Sequence, residues 1–308
     1  AGWFTDYAAL IGRRYGDRVK HFATFNEPSV SAIFGYLLGT NAPGITSVPQ
    51  YLRAVHHLNL AHGSASQALR SVVKELQLGA VYTLQPVIPC TDSEADAIAT
   101  QALDAHWNGV YAQPQQLGHY PPSVAALFDE IALPGDMAII CQPQDWIGIN
   151  HYSPLYAKAT RQHSLGFTLG DAPAHCEKSA IGWPIDADAF RDTLLKTSKT
   201  YNRPLYVTEN GYGGFDQPDT SGEINDHERV HYLERYIKAV ADAVAGGADI
   251  RGYFVWSLLD NFEWAFGYSN RFGIVHVDFA TQQRTFKASA HWYRKLIEKQ
   301  NEPARKLE

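Results

Sequence analysis

The chain has 308 residues, of which 45% are hydrophobic, and a formal net charge of −6. This length permits one large domain or two ordinary ones, with enough apolar residues for a sizeable core. The acidic balance and the lack of any basic run exclude the charge pattern of a protein that binds nucleic acid or an anionic membrane surface.

Along the chain, apolar runs typical of strands alternate with amphipathic stretches typical of helices. The predicted strands cover residues 19–26, 79–85, 145–152, 204–209 and 252–258. Each is followed by a predicted helix, and these helices cover residues 49–74, 93–111, 186–201, 226–245 and 286–300. This alternation predicts a parallel sheet with helices on its outer face.

Capping residues mark several of these boundaries. Ser47 and Pro49 are typical of a helix start, and Asp186 and Asp226 are typical of N-caps or first-turn acids. The glycine pair at 246–247 is typical of a helix end. These signals support the predicted helix boundaries.

Two short motifs place a glutamate at the end of a predicted strand. They are Thr-Phe-Asn-Glu-Pro at 24–28, which contains Glu27, and Tyr-Val-Thr-Glu-Asn-Gly at 206–211, which contains Glu209. Hydrolysis of a glycosidic bond needs two carboxyl groups, because one protonates the leaving oxygen while the other meets the anomeric carbon from the opposite face. If they lie about 5 Å apart, the ionised group raises the pKa of its neighbour. One glutamate at a strand end is more often a solvated charge, but the two together favour catalysis.

Two further motifs are Gly-Tyr-Phe-Val-Trp-Ser-Leu-Leu-Asp-Asn-Phe-Glu-Trp at 252–264 and Gly-Tyr-Ser-Asn-Arg-Phe-Gly-Ile at 267–274. Together the four motifs resemble glycoside hydrolase family 1, the β-glucosidase-type enzymes. The resemblance runs over essentially the whole chain. It implies an α/β fold, the TIM (β/α)8 barrel, to which residues 1–308 contribute roughly strands 4 to 8 as a single partial domain. It also implies a retaining β-glycosidase with Glu27 as general acid/base and Glu209 as nucleophile.

The resemblance also assigns residues to substrate binding. They are Asn26, Tyr152, Trp256, Glu263, Trp264 and Phe272. It implies that Asn26 binds the sugar 2-hydroxyl and that Tyr152 hydrogen-bonds the nucleophile. Independently of the family, Trp256 can present a flat apolar face to a pyranose, and Glu263 can accept hydrogen bonds from two neighbouring hydroxyls. An isolated tryptophan is more often a core residue, but the adjacent carboxylate favours a binding role.

The predicted strands are fewer than the eight of a closed barrel. Within the family pattern, residues 4–15 resemble the helix before the fourth strand, so we expect the first three strands to lie outside this chain. A five-stranded parallel sheet would leave two edges with unpaired backbone groups. The expected partner of these edges is a complementing amino-terminal segment, on this or another chain. A second copy in a homo-oligomer is a further possibility. Otherwise the chain is an unusual remnant.

The expected substrates are small, neutral β-glycosides, with β-glucosides first and β-galactosides or β-fucosides second. A carboxylate at Glu263 would repel the phosphate of a 6-phosphoglycoside. The long loop at 153–183 is expected to line the aglycone entrance. A transglycosylating relative remains an alternative, as does an inactive sugar-binding fragment if the amino-terminal part is truly absent.

No cofactor is expected, because two carboxyl groups suffice for this chemistry. The histidines His56, His57 and His62 lack the spacing and the carboxylate partners of a metal site, so no metal is expected either. Three widely spaced cysteines argue against a disulfide framework. They favour a reducing, cytoplasmic compartment, with secretion left open.

Overall fold

A computed structural model describes residues 1–301. The helices are α1 (Gly2–Tyr15), α2 (Pro28–Ala32), α3 (Val48–Val72), α4 (Glu94–Asp104), α5 (Val110–Leu117), α6 (Asp136–Ile140), α7 (Ala187–Tyr201), α8 (His227–Ala245) and α9 (Ala288–Asn301). The strands are β1 (His21–Asn26), β2 (Gln77–Thr83), β3 (Val87–Pro89), β4 (Trp146–Asn150), β5 (Leu155–Ala159), β6 (Phe167–Gly170), β7 (Leu205–Asn210), β8 (Ile250–Val255), β9 (Val275–Val277) and β10 (Arg284–Phe286). No helix among these residues combines the length and the apolar character needed to cross a bilayer.

The central element is a five-stranded sheet in the order β1-β2-β4-β7-β8. Every neighbouring pair in it is parallel, as predicted, and its strands are the five predicted ones with ends shifted by a few residues. Because the strands are parallel, their carboxyl ends meet at one edge of the sheet, where side chains from distant parts of the chain converge. Within the described residues, β1 and β8 each pair on one side only.

The inner strands are apolar because both of their faces are covered. All of β4 and nearly all of β2 are buried, which is typical of parallel strands whose two faces are both covered. A Cβ on Gly79 of β2 would overlap the indole of Trp146 on β4. Glycine at this position therefore allows the large Trp146 ring to pack across the neighbouring strand.

Two of the capping residues predicted above start their helices with a side-chain hydrogen bond. The side chain of Ser47 accepts a hydrogen bond from the first turn of α3 at 3.4 Å, and that of Asp186 accepts one from α7 at 2.9 Å. Asp226 precedes α8, as predicted, but makes no side-chain cap. Its carboxylate instead pairs with Arg229 and accepts hydrogen bonds from Ser289. Asp226 therefore joins α8 to the start of α9.

The helix predicted over residues 93–111 is present, but it is not one regular α-helix and it ends later than predicted. The structure has α4, a π-helical turn at Ala105–Gly109, and α5, which continues to Leu117. The widened turn carries Asn108, whose side chain exchanges hydrogen bonds of 3.0 and 2.8 Å with the backbone of Gln85. A tertiary contact thus accompanies the departure from regular helix geometry, and helical periodicity does not encode that contact.

The segment at 153–183, predicted as a loop, contains two strands. β5 pairs antiparallel with β6 and parallel with β3, which forms a small three-stranded sheet. These strands have three to five residues each. Such short runs give too little alternation to be recognised from the sequence alone. The small sheet extends from the end of the main sheet at which β2 and β4 finish.

An exposed apolar stripe runs along α1. Trp3, Tyr7 and Leu10 are 93%, 58% and 57% exposed, and their spacing places them on one side of the helix. The opposite side buries Ala8 and Gly12 against the carboxyl-terminal part of α3. The helix is therefore apolar on two sides, although it packs against its neighbour with only one of them.

Candidate active site

Glu27 directly follows the carboxyl end of β1, as the motif predicts. Its backbone is left-handed, with φ 48° and ψ 56°, and α2 begins at the next residue, Pro28. A non-glycine residue in this region costs about 1–3 kcal/mol, and such strain is concentrated at functional sites. The side chain is partly buried, and its Oε1 lies 2.9 Å from Nδ2 of Asn150.

Glu209 is the second-last residue of β7. The hydroxyl of Tyr152, which follows β4, donates a hydrogen bond of 2.5 Å to its Oε2. This is the contact that the family resemblance assigns to Tyr152. Two aromatic rings, those of Trp183 and Phe272, lie against the Tyr152 ring at centroid distances of 5.5 and 6.0 Å. The donor to Glu209 is therefore held by packing as well as by its hydrogen bond.

Asn150, at the carboxyl end of β4, connects the two glutamate-bearing strands. Its Nδ2 lies 2.9 Å from Oδ1 of Asn26 and 2.9 Å from Oε1 of Glu27. The hydroxyl of Thr208 on β7 donates to Asn150 Oδ1 at 2.6 Å, which orients the amide with its NH2 group toward Glu27. Neither Asn150 nor Thr208 was predicted as a site residue from the sequence. Their positions at the ends of adjacent parallel strands are the signal that could have identified them.

The electrostatic environment makes the two glutamates unequal. The pKa of Glu27 is raised to about 7, chiefly by burial and next by the charge of Glu209, while the Asn150 hydrogen bond acts in the opposite direction. The pKa of Glu209 is also raised by burial, but hydrogen bonds with the side chains of Tyr152, Asn150 and Asn26 oppose this rise. Near neutral pH, Glu27 is therefore suited to donate a proton while Glu209 is suited to stay ionised.

The loop after β8 carries the predicted sugar-binding residues. Trp256 directly follows the strand and is partly buried, whereas Trp264 is 76% exposed. Burial raises the pKa of Glu263, the Trp256 side chain lowers it, and the charge of Glu209 raises it. Because Glu209 influences Glu263, the loop and the paired glutamates belong to one site.

A glycine brings the end of β7 close to this loop. A Cβ on Gly211 would overlap the carbonyl oxygen of Trp256. The Trp256 N–H donates to the carbonyl of Asn210 at 2.9 Å, and the Trp256–Ser257 peptide bond is cis. The glycine of the second glutamate motif is therefore required for packing, because no other residue lets the two backbones approach so closely.

Asn26 and Phe272, both predicted to bind substrate, lie in different environments. Asn26 is exposed and accepts the hydrogen bond from Asn150. Phe272 is only 2% exposed, and its ring contacts Tyr152 and Trp183. In this structure Phe272 supports Tyr152 and offers little surface to a ligand.

The histidines considered as metal ligands take part in buried hydrogen bonds. His56 lies 2.8 Å from the hydroxyl of Tyr120 and 2.8 Å from the carboxylate of Asp136. His62 lies 2.6 Å from the hydroxyl of Thr24, and burial lowers the pKa of His62 to about 3. Among residues 1–301, no group of three or more His, Cys, Asp or Glu side chains is arranged to hold a metal ion.

Comparison with known proteins decides the family. The sequence profile of glycosyl hydrolase family 1 matches residues 1–302. The chain belongs to glycosyl hydrolase family 1. It is 38% identical over 299 residues to a beta-glucosidase of Agrobacterium sp., covering 95% of this chain and 65% of that protein. It is 37% identical to a bifunctional beta-D-glucosidase/beta-D-fucosidase of Bifidobacterium breve, covering 95% of this chain and 67% of that protein.

A solved structure of the same family has the same fold. It is the beta-glucosidase from Thermotoga maritima in complex with deoxynojirimycin, with a TM-score of 0.88 and 36% sequence identity. The match covers 96% of this chain and 68% of that one. This likeness confirms the TIM-barrel class expected from the family 1 motifs. The chain thus spans about two thirds of the length of the family 1 relatives that it matches.

Proposed function

We propose that this family 1 chain carries the catalytic carboxyl pair of a retaining β-glycosidase. Glu27 is the general acid/base and Glu209 is the nucleophile. The observation that supports this most strongly is the difference between their environments. The pKa of Glu27 is raised to about 7, whereas the Tyr152 hydroxyl stabilises the charge on Glu209.

In the first step, a carboxylate oxygen of Glu209 bonds to the anomeric carbon while the glycosidic C–O bond breaks. Glu27 transfers its proton to the leaving oxygen, so the aglycone departs as a neutral alcohol. The glycosyl ester neutralises Glu209 and removes one cause of the raised pKa of Glu27. Glu27 then takes a proton from the water that attacks the ester, which returns both groups to their starting states.

The substrates we propose are neutral β-glycosides, with β-glucosides preferred. Asn26, Trp256, Glu263 and Trp264 provide the polar and aromatic contacts to the sugar. A partly buried carboxylate at Glu263 accepts hydrogen bonds from neutral hydroxyls and repels a phosphorylated sugar. The Bifidobacterium relative is named as a glucosidase and fucosidase, which supports β-fucosides as second substrates.

The decisive experiment is intact-mass spectrometry after incubation with an activated 2-deoxy-2-fluoro-β-glucoside. We expect a stable adduct of one sugar, mapped by peptide analysis to Glu209. The Glu209→Gln variant should give no adduct, whereas Glu27→Gln should still be labelled, because an activated leaving group needs no proton. Labelling of another residue, or equal labelling of Glu209→Gln, would contradict the assignment. Sugar binding without an adduct or turnover would instead support the inactive sugar-binding alternative.

A second measurement tests Glu209 as the nucleophile. The Glu209→Gly variant should lose hydrolysis, and azide should restore cleavage of an activated β-glucoside and give the α-glycosyl azide. The small anion occupies the space of the missing carboxylate and attacks the same face of the sugar. A β-azide from a folded variant would be inconsistent with Glu209 as the nucleophile.

A further inference from the structure

A cluster of charged side chains joins the loops that follow β7 and β8. We call it the buried-charge cluster, and its members are Asp216, Asp226, Arg229, Asp260, Arg271 and Lys287. Their side chains are between 0% and 11% exposed. The cluster contains three carboxylates and three cations, and the catalytic steps described above use none of them.

Lys287, which directly precedes α9, bridges the two loops. Its Nζ lies 2.7 Å from Oδ2 of Asp216 and 2.9 Å from Oδ1 of Asp260. Asp216 belongs to the segment that follows the nucleophile Glu209, and Asp260 belongs to the segment that leads to Glu263. One buried ammonium group therefore connects the segment of the nucleophile to the segment of the proposed sugar-binding carboxylate.

Asp260 closes the base of the loop that carries Glu263. It accepts a hydrogen bond of 3.0 Å from the N–H of Gly273 and one of 2.6 Å from Arg271. These contacts join the two ends of the loop. Asp260 therefore holds the start of the loop against its end.

The segment after Glu209 is held from the other side by Arg229. This side chain donates to Asp216 at 2.6 Å and to the carbonyl of Tyr212 at 3.2 Å. It also donates to the carbonyl of Arg271 at 2.8 Å. Backbone hydrogen bonds of 2.9 and 2.8 Å between Gly214 and Arg271 connect the same two segments. The cluster thus fixes one loop relative to the other.

Buried ion pairs are a poor source of net stability, because removing charges from water costs about as much as their attraction returns. Apolar side chains of similar size often stabilise a fold as well or better. Ion pairs do have directional contacts, however, and they specify one arrangement of the segments that carry them. A role in positioning the two loops therefore accounts for this cluster better than a role in stability alone.

We propose that Lys287 is a positioning residue that fixes Glu263 relative to Glu209 and thereby controls recognition of the sugar hydroxyls. This inference rests on the proposed glycosidase function. Lys287 touches neither the substrate nor the reacting atoms and acts through Asp216 and Asp260. Loss of the bridge should weaken the contacts that Glu263 makes in the transition state.

The variant for the test is Lys287→Met combined with Asp216→Asn. It removes one positive and one negative charge, so the cluster stays balanced. Asp260 keeps Arg271 as a partner. The single Lys287→Met variant would leave two buried carboxylates with one donor fewer and would confuse folding with positioning. The matched control is Lys238→Met with Asp242→Asn, an exposed ion pair on α8.

We expect the cluster variant to lower kcat/KM for an aryl β-glucoside by about 10- to 100-fold, because a shift of about 1 Å in a positioned group has this effect. In a Glu263→Ala background, the same substitutions should lower kcat/KM by less than about threefold, since the side chain to be misplaced is already gone. The control pair should change neither background. Fluoroglucoside labelling gives the active fraction of every variant, so losses through misfolding are corrected.

Equal losses of kcat/KM with and without the Glu263 substitution would overturn the proposal and leave the cluster a purely structural role. An unchanged kcat/KM for the cluster variant alone would also overturn it. If the unmodified protein is labelled at Glu209 but the losses are additive, the positioning role fails and the proposed function stands. If the unmodified protein is not labelled at Glu209, both fail.

Discussion

The Glu27→Gln substitution should make the protein more stable, and the gain should depend on pH. The pKa of Glu27 is raised from 4.5 to about 7 in the folded protein. Because the folded protein holds this proton more tightly than the unfolded chain does, the free energy of unfolding falls as pH rises from 4.5 through about 7. One pKa unit corresponds to about 1.4 kcal/mol, so the full cost of ionising Glu27 is about 3 kcal/mol. The uncharged amide of glutamine avoids that cost.

Urea unfolding of wild type and Glu27→Gln at pH 5, 6 and 8 measures the effect. The difference in unfolding free energy should grow by about 2–3 kcal/mol between pH 5 and pH 8. All other titrating groups are common to both proteins, so the difference largely isolates Glu27. The Glu234→Gln variant, at an exposed position on α8, controls for the loss of one negative charge. A difference that is constant with pH, or that shrinks as pH rises, would refute the electrostatic account of the site.

Three further substitutions test the surroundings of the pair. Tyr152→Phe removes the hydroxyl that lowers the pKa of Glu209. The acid limb of the pH profile of kcat/KM should therefore move to higher pH, and kcat/KM should fall by about 10- to 100-fold. An acid limb that does not move would contradict this. Thr208→Val removes the hydrogen bond that orients the Asn150 amide toward Glu27. The basic limb of the same pH profile should therefore move to higher pH. A basic limb that stays in place or moves to lower pH would argue against the connection from Thr208 through Asn150 to Glu27. Gly211→Ala introduces a Cβ that overlaps the backbone of the loop after β8; thermal unfolding should show a loss of about 1–3 kcal/mol, and an unchanged melting temperature would rule out the proposed close packing.

The unpaired strand edges and the exposed apolar stripe of α1 are consistent with the greater length of the family 1 relatives. Within residues 1–301, β1 and β8 each pair on one side, and α1 exposes Trp3, Tyr7 and Leu10. Exposed apolar stripes and free strand edges are typical of surfaces that contact further polypeptide. The relatives extend beyond the matched region by about a third of their length. A complementing segment of βα units remains a prediction that this surface supports.

The sequence by itself determined the main elements and the two glutamates. Inner strands of a parallel sheet that are covered on both faces appear as short apolar runs between helices, and β2 and β4 were found for that reason. Glu27 and Glu209 stand at the ends of such runs, so their convergence at one edge follows once the sheet is parallel. Where the signal was short, as in β5 and β6, or where a tertiary contact accompanied a change in helix geometry at Ala105–Gly109, the prediction failed.

Only the tertiary structure decided how the two glutamates differ. The hydrogen bond from Asn150 to Glu27 joins residues 123 positions apart, and Lys287 reaches Asp216 across 71 positions. A pKa depends on burial, on nearby charges and on hydrogen bonds, and each of these is set by distances through space between segments remote in the chain. Local pattern determines residue type and strand position. The packing of β1, β4 and β7 is what places the two carboxyl groups in different electrostatic environments.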